Sequence, residues 1–298
     1  MTTSSPKLLV TGANGNLGRL VLDHLLDTLK VEPGRIIATT RDPAKLADIA
    51  ARGVAVRAAD FARPETLPAA FAGADRLLLI STGTFGNRVT EHKAAIDAAI
   101  AAGVQHVLYT SIPNPVEPEL GIVHDHAKTE DVLAASALKG WTALRNNWYF
   151  ENLNHTIPGL LASGKWFTAN GDGRIAYVAR GDLAHAAAAA LANGGDGKRA
   201  LTLGGSKAYT TAELAALIGG VFGKTIEVVP VTAEQVEQGM VGHGVPAPVA
   251  AVLASAEVNI ARGRLGEVTG DVESLIGGKP QSFEEWLAAN KAAFSQVA

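Results

Sequence analysis

The sequence predicts an α/β chain, a doubly wound parallel sheet followed by a small C-terminal α/β lobe. Three observations predict it. Short apolar runs alternate with Ala-rich helical stretches through the first half, a glycine-rich turn joins the first run to the first helix, and the rhythm loosens after about Phe150. Nearly continuous apolar strands separated by helices are what a parallel sheet covered on both faces requires.

Lys7 to Val10 reads as the opening strand, and beyond the turn Leu17, Leu20, Val21 and Leu25 recur at helical spacing on one face. Further strands are expected at Arg35 to Thr39, Val54 to Ala58, Arg76 to Ile80, His106 to Thr110 and Thr142 to Leu144. Helices are expected from about Arg88 to Ala102, with Gly103 as stop signal, and from about Lys128 to Leu138, with Gly140 beyond. After Phe150, Pro158 and the Gly-rich stretches at Asn170 to Gly173, Asn193 to Gly197 and Gly204-Gly205 cut the pattern into shorter pieces. Asp182 is expected to cap a helix from Leu183 to Ala192, and Lys198 to Leu203 to return as a sheet strand. Helices near Thr211 to Val221, Ala233 to Met240 and Phe283 to Ala293 complete a second lobe. Residues 1–152 with 181–206 are thus assigned to the sheet domain, and 153–180 with 207–298 to the small lobe.

Composition narrows the function. The 298 residues include 26 Lys plus Arg against 29 Asp plus Glu, and the formal charge of -3 predicts no general affinity for nucleic acid. With no Cys, disulfides, thiolate zinc, iron–sulfur ligation and a cysteine nucleophile are excluded. The polar start from Met1 to Pro6 is unlike a secretory signal, so a cytoplasmic location is expected. No membrane partner is expected either, because the most apolar helix candidate is interrupted by His185 and is half the roughly 20 residues a span needs.

The most informative stretch runs from Lys7 to Gly18, a strand, a turn and a helix start with glycines at Gly12, Gly15 and Gly18. Gly12 permits the tight bend, Gly15 a close backbone approach and Gly18 close packing of helix on strand, so a pyrophosphate can rest on the helix N-terminus. The spacing G-x-x-G-x-x-G gains its force from following the first strand directly; alone it would be a plain turn. Arg41, in Thr39-Thr40-Arg41-Asp42-Pro43, stands where an acidic residue would bind the ribose hydroxyls of NAD. A guanidinium there suits a 2′-phosphate and favours NADPH; a solvated charge partly neutralised by Asp42 is the plainer alternative. Asp60 and Phe61 after the third strand are candidates for the adenine, or simply an N-cap and a core ring. Ser81 and Thr82 follow the fourth strand on the carboxyl edge, where ligands of open parallel sheets bind.

A Tyr-x-x-x-Lys pair, which would protonate an alkoxide, is absent, since none of Tyr109, Tyr149, Tyr177 and Tyr209 has Lys four residues on. His124-x-x-x-Lys128 is the nearest relic and reads as an exposed polar helix terminus. His124 and His126 lack the further ligands a metal needs, so no metal is expected. Near matches to a nucleoside triphosphate loop at Gly159 to Trp166 and around Gly223-Lys224-Thr225 fail, as does a hydrolase elbow at Gly204 to Ala208.

Val10 to Gly18, Thr40 to Lys45, Leu78 to Ser81, Tyr109-Thr-Ser111, His126 with Thr129-Glu130, and Leu144 to Asn152 together resemble the NmrA-like atypical short-chain dehydrogenases, closest to type-2 NAD(P)H:quinone oxidoreductases. The similarity continues through Ala169 to Ile175 and Ala179 to Ala184. The resemblance implies a Rossmann domain with a small lobe, NADPH in the cleft, and hydride transfer to a small-molecule quinone without a flavin. It implies that Gly12, Asn14, Gly15, Asn16, Leu17 and Gly18, Arg41, Ser81, and Asn146, Asn147, Trp148 and Tyr149 line the cofactor. The loop Thr82-Gly83-Thr84-Phe85 and Lys128 beside His126 depart from the family pattern and bear on the acceptor's shape. A hydroquinone anion is much less basic than an alkoxide, so the missing Tyr and Lys fit a quinone, and catalysis rests on near-attack geometry. Tyr149 or His126 is the candidate hydrogen-bond donor to the developing oxyanion, against the plainer readings of a packing Tyr and a helix-terminal His. Trp148, Phe150 and Phe85 are candidates for a flat apolar wall. The alternatives are an NADP-binding redox sensor of NmrA type, or a reductase of an imine, enone or dye. A homodimer is left open.

Overall fold

In the computed structural model, which describes residues 5–84, 86–115, 122–194 and 197–295, the chain divides into two units. The first comprises Met1–Asn146 and Leu183–Leu201, the second Asn147–Asp182 and Thr202–Ala298. The switch points therefore fall at 146, 182 and 201 rather than at the 152, 180 and 206 read from the sequence. Local bonding explains the first of them: Tyr149 already bridges to Val178 of the second unit.

Strand and helix alternate through β1 (Leu8–Val10), α1 (Asn16–Asp23), β2 (Ile36–Thr40), α2 (Ala47–Ala51), β3 (Ala55–Ala58), α3 (Leu67–Phe71), β4 (Arg76–Leu79), α4 (Arg88–Ala101), β5 (His106–Ser111), α5 (Ile122–Ala135) and β6 (Gly140–Asn146). The chain then passes through α6 (Ile157–Ser163), β7 (Lys165–Thr168) and β8 (Arg174–Ile175), and returns by α7 (Arg180–Asn193) and β9 (Lys198–Leu203). The sheet has the order β3-β2-β1-β4-β5-β6-β9. Leu9 lies opposite both Ile37 and Leu77 in parallel register, and Leu108 opposite both Leu78 and Thr142. Trp141 N–H donates to the Gly197 carbonyl at 2.9 Å and Asn147 N–H to that of Leu203 at 2.8 Å, so β9 also runs parallel to β6.

Every residue of β1, β2 and β5 is buried, which is why the apolar stretches Leu8 to Val10, Ile36 to Ala38 and Val107 to Tyr109 are unbroken rather than alternating. On one face Phe71, Leu79, Ile96, Val107, Tyr109 and Leu133 form a continuous core. Each fully buried Leu or Phe contributes on the order of 1.5–3 kcal/mol.

Three elements depart from expectation. Helix α5 begins at Ile122, not near Lys128, so His126 and Thr129 lie inside it and are buried. They reach the core because each finds a hydrogen-bond partner on another element, which periodicity along one helix cannot register. Asp182 is not the N-cap of α7: the helix starts at Arg180, whose N–H is held by the Glu151 carboxylate at 3.1 and 3.2 Å. Asp182 instead accepts from Gln281 N–H at 2.7 Å.

The remaining elements of the second unit are β10 (Tyr209–Thr210), α8 (Thr211–Phe222), β11 (Glu227–Pro230), α9 (Ala233–Gly242), α10 (Ala247–Ala261), α11 (Asp271–Ile276) and α12 (Phe283–Ser295). Thr210 with Glu213 and Thr232 with Gln235 form capping boxes that start α8 and α9. Helix α10 is the third departure, a helix where none is expected, with Pro246 and Pro248 at its start. Two short pairs, β8 with β10 and β7 with β11, edge a core in which Phe150 packs on Tyr177, Phe283 and Trp286. No helix of the described residues is long and apolar enough to cross a membrane.

Candidate active site

Strand β1 pairs with β2 on one side and β4 on the other, so the chain's winding reverses there and the loops beyond β1 and β4 diverge. The glycine turn fills this place. Gly12 sits at φ +57°, and Gly15 N–H folds back onto the Gly12 carbonyl at 2.9 Å. A Cβ on Gly18 would strike the Gly12 carbonyl oxygen and lie 2.8 Å from Ala13 Cα, so α1 can approach β1 this closely only with glycine there. Gly15, the N-cap of α1, offers no side chain to the first-turn amides. Gly12, Gly15 and Asn16 are exposed, Asn14 is half-buried, and Leu17 and Gly18 turn inward. Unfilled amides at the positive end of a helix, with no Cβ in the way, fit a pyrophosphate.

Arg41 follows β2, is exposed, and has no hydrogen-bond or ion-pair partner among the described residues. Asp42 does not neutralise it: its Oδ1 accepts from Ala44 N–H at 3.2 Å and starts the following turn. Asp60 likewise folds its own loop, accepting from Ala62 N–H at 3.1 Å and pairing with Arg63 at 3.2 Å, while Phe61 packs partly buried on the core.

Beyond β4 the backbone is held by side chains. The N–H groups of Ile80, Ser81 and Thr82 donate in turn to Thr11 Oγ1 at 3.0 Å, Thr110 Oγ1 at 2.8 Å and His92 Nε2 at 3.0 Å. Arg88 Nε donates to the Thr82 carbonyl at 2.8 Å, and its guanidinium, 4% exposed, lies 3.6 Å from Asp125. His92 Nδ1 is 3.0 Å from Thr129 Oγ1, which donates to the Asp125 carbonyl at 2.8 Å. Burial, reinforced by the Arg88 charge, pushes the His92 pKa down to about 3. Nearby, Tyr109 Oη and His126 Nδ1 share a 2.6 Å hydrogen bond. Burial holds Tyr109 well above the phenol range, and burial together with Arg88 and His92 holds His126 well below the imidazole range, so both are neutral. Thr11, Thr110, Arg88 and His92 escape the sequence reading; the one signal is the i, i+4 spacing that sets Arg88 and His92 on one face of α4. Phe85, in the same loop, lies outside the described residues.

Three of the motif fragments meet at the ends of β5 and β6. Ser111 Oγ donates to Glu130 Oε1 at 2.6 Å, and Arg145 grips the same carboxylate with two bonds of 2.7 and 3.1 Å. Asn146 follows, 7% exposed, as the last residue of β6.

In the second unit Asn147 bonds through both ends of its amide: Nδ2 donates to the Leu265 carbonyl at 3.0 Å and Oδ1 accepts from Trp148 N–H at 2.8 Å. Trp148 is half-buried against that unit's core. Tyr149 is half-buried with the Arg180 guanidinium 5.3 Å from its ring centre. Phe150, expected as part of an apolar wall, is 1% exposed inside the aromatic core and presents no free face. Among the described residues no three His, Asp or Glu side chains gather as a metal site requires.

A family model described as NAD(P)H-binding matches residues 12–194. Quinone oxidoreductase 2 of Escherichia coli (strain K12) is 36% identical over 91% of this chain and 93% of its own. The crystal structure of the NADPH-dependent quinone oxidoreductase of E. coli complexed with NADPH superposes with a TM-score of 0.89 at 35% identity, over 95% of this chain and 99% of that one. Citrobacter sp. triphenylmethane reductase complexed with NADP(H) superposes with a TM-score of 0.85 at 34% identity, over 95% and 99%. A glycine turn built for an anion, the reversal of winding above it and these likenesses agree: the chain belongs to the NAD(P)H-binding family, among the NmrA-like Rossmann-fold oxidoreductases that include quinone oxidoreductase 2.

Proposed function

We propose that the chain is an NADPH-dependent reductase that delivers hydride to a quinone without a flavin. The observation that carries the cofactor is the pairing of an uncapped, exposed α1 N-terminus with Arg41, an exposed guanidinium with no partner among the described residues. The quinone rests on the likeness to quinone oxidoreductase 2.

NADPH, when bound, supplies the hydride from its nicotinamide ring. The turn from Gly12 to Gly18, with Asn14, Asn16 and Leu17, holds the pyrophosphate, Arg41 the 2′-phosphate, and Asp60 and Phe61 the adenine side. Ser81, Thr82 and Asn146 flank the remainder, and Asn147 fixes the chain that carries Trp148 and Tyr149. Tyr149 and His126 are the proposed donors of a hydrogen bond to the reduced acceptor's oxygen, and Trp148 its apolar neighbour. A hydroquinone anion is weakly basic, so a neutral hydrogen-bond donor suffices. The acceptor is a small molecule; the cytoplasm and a homodimer belong to the same proposal.

Arg41→Ala tests the cofactor. A hydrogen bond to a charged group is worth about 1.5–3 kcal/mol, so the variant should bind NADPH about 10- to 100-fold more weakly and NADH unchanged. An unaltered preference would refute the assignment. A second acceptor class, a cationic triphenylmethane dye, is favoured by the likeness to the Citrobacter reductase. Rates of NADPH oxidation across a panel of quinones and such dyes decide between them, and binding without turnover across the panel points to a sensor.

A further inference from the structure

Polar side chains are concentrated at one end of α4. Arg88, Glu91 and His92 are buried in its first turns, whereas the buried residues further along are Ala95, Ile96 and Ala99. Burying a guanidinium carries a penalty of several kcal/mol unless its partners are well placed, so a fold that buries Arg88 and His92 side by side must hold something with them. Beside the Arg88–Asp125 pair, what they hold is one residue, Thr82. The Thr82 N–H enters His92 Nε2 and the Thr82 carbonyl takes Arg88 Nε, so both backbone polar groups of Thr82 are fixed from the same helix face.

The hydrogen bonds also fix the imidazole. A backbone N–H can only donate, so Nε2 must accept, and the ring proton sits on Nδ1. That proton goes to Thr129 Oγ1, whose own hydrogen goes to the Asp125 carbonyl. His92 is therefore a neutral, single-tautomer acceptor, tied through α5 at one end and to the β4 loop at the other. On the opposite side of the loop Thr11, the residue before Gly12, accepts from Ile80 N–H. The segment Ile80-Ser81-Thr82 is thus strung between the glycine turn and α4.

Resting on the NADPH reading above, we propose that His92, assisted by Arg88, is a positioning residue for the cofactor: it holds the Ser81-Thr82 backbone in the single conformation against which the dinucleotide binds. Without that acceptor the Ser81–Thr82 peptide loses the partner of its N–H, and apparent affinity falls in proportion as fewer molecules have the loop in place.

The test uses the full chain and two amide variants that cannot titrate. In His92→Asn the amide falls short of Thr82, whereas in His92→Gln it reaches the place of Nε2. NADPH binding is followed by nicotinamide fluorescence, and KM and kcat are measured with a soluble benzoquinone. His92→Asn should weaken NADPH binding and raise its KM about tenfold, the scale of one net hydrogen bond, while kcat changes less than about twofold. His92→Gln should stay within about threefold of the unaltered protein. Equal binding by His92→Asn and the unaltered protein would overturn the inference, as would equal impairment in both variants, which marks a merely structural histidine. Amide hydrogen exchange in the unaltered protein gives a readout independent of any variant: the Thr82 N–H should be strongly protected, and fast exchange there would also overturn it. If the unaltered protein binds no NADPH, the functional reading falls and takes this one with it; if it binds NADPH but His92→Asn does so equally well, this one falls alone.

Discussion

Lowering the pH from 7 to 5 should destabilise the fold by about 2 kcal/mol through His92 alone. Its imidazole is neutral in the folded state, with a pKa of about 3, and would titrate near 6.5 once unfolded. A base whose folded pKa is depressed binds its proton only on unfolding. The stability it contributes is complete above about 6.5 and is lost as pH falls toward about 3, at about 1.4 kcal/mol per pH unit. At pH 5 the unfolded form is almost fully protonated and the folded form almost not at all, so the figure hardly depends on how far below 5 the folded value lies. His126 acts in the same direction. The assay is urea unfolding of the unaltered protein and His92→Gln at pH 7 and pH 5, followed by circular dichroism and tryptophan fluorescence. Glutamine keeps the Thr82 contact and removes the titration, so the unaltered protein should lose about 2 kcal/mol more than the variant between the two pH values. Equal losses would show that His92 titrates as a solvated histidine and would refute the buried-acceptor argument.

Two further outcomes follow from the site. Gly18→Ala places a Cβ on the Gly12 carbonyl and should destabilise the protein by about 1–3 kcal/mol and weaken NADPH binding, both measurable by thermal unfolding with and without NADPH. Tyr149→Phe keeps the ring beside Arg180 and removes only the hydroxyl; on the proposed role it should lower kcat about tenfold with the KM for NADPH unchanged, and an unchanged kcat would leave the donor role to His126 or water.

The sheet was legible because every residue of β1, β2 and β5 is buried and each strand therefore carries an unbroken apolar stretch, Leu8 to Val10, Ile36 to Ala38 and Val107 to Tyr109. The glycine turn was legible for a related reason, since Gly18 has no room for a side chain and Gly12 sits at positive φ. What the sequence hid are partnerships between distant polar residues. His126 reads as a helix-terminal residue because nothing local reveals Tyr109 as its partner, and nothing local pairs Thr129 with His92. Glu151 caps α7 from 29 residues away, a distance at which sequence spacing reveals nothing, whereas Asp182, at the cap position expected locally, bonds Gln281 instead. The motif residues Ser111 and Arg145 both bind the Glu130 carboxylate, so part of the family signature records an internal fastening rather than contact with a ligand.

The position of β9 has a consequence for synthesis on the ribosome. The sixth strand ends at Asn146, but the strand that covers its outer edge begins only at Lys198, about 50 residues later. At roughly 5–20 residues per second that edge, including the N–H groups of Trp141 and Asn147, stays open for several seconds after the first six strands have emerged. An uncovered strand edge is a template for pairing with another chain. The nascent protein is thus most vulnerable to misassembly in this interval, and slow translation through residues 147–197 would lengthen it.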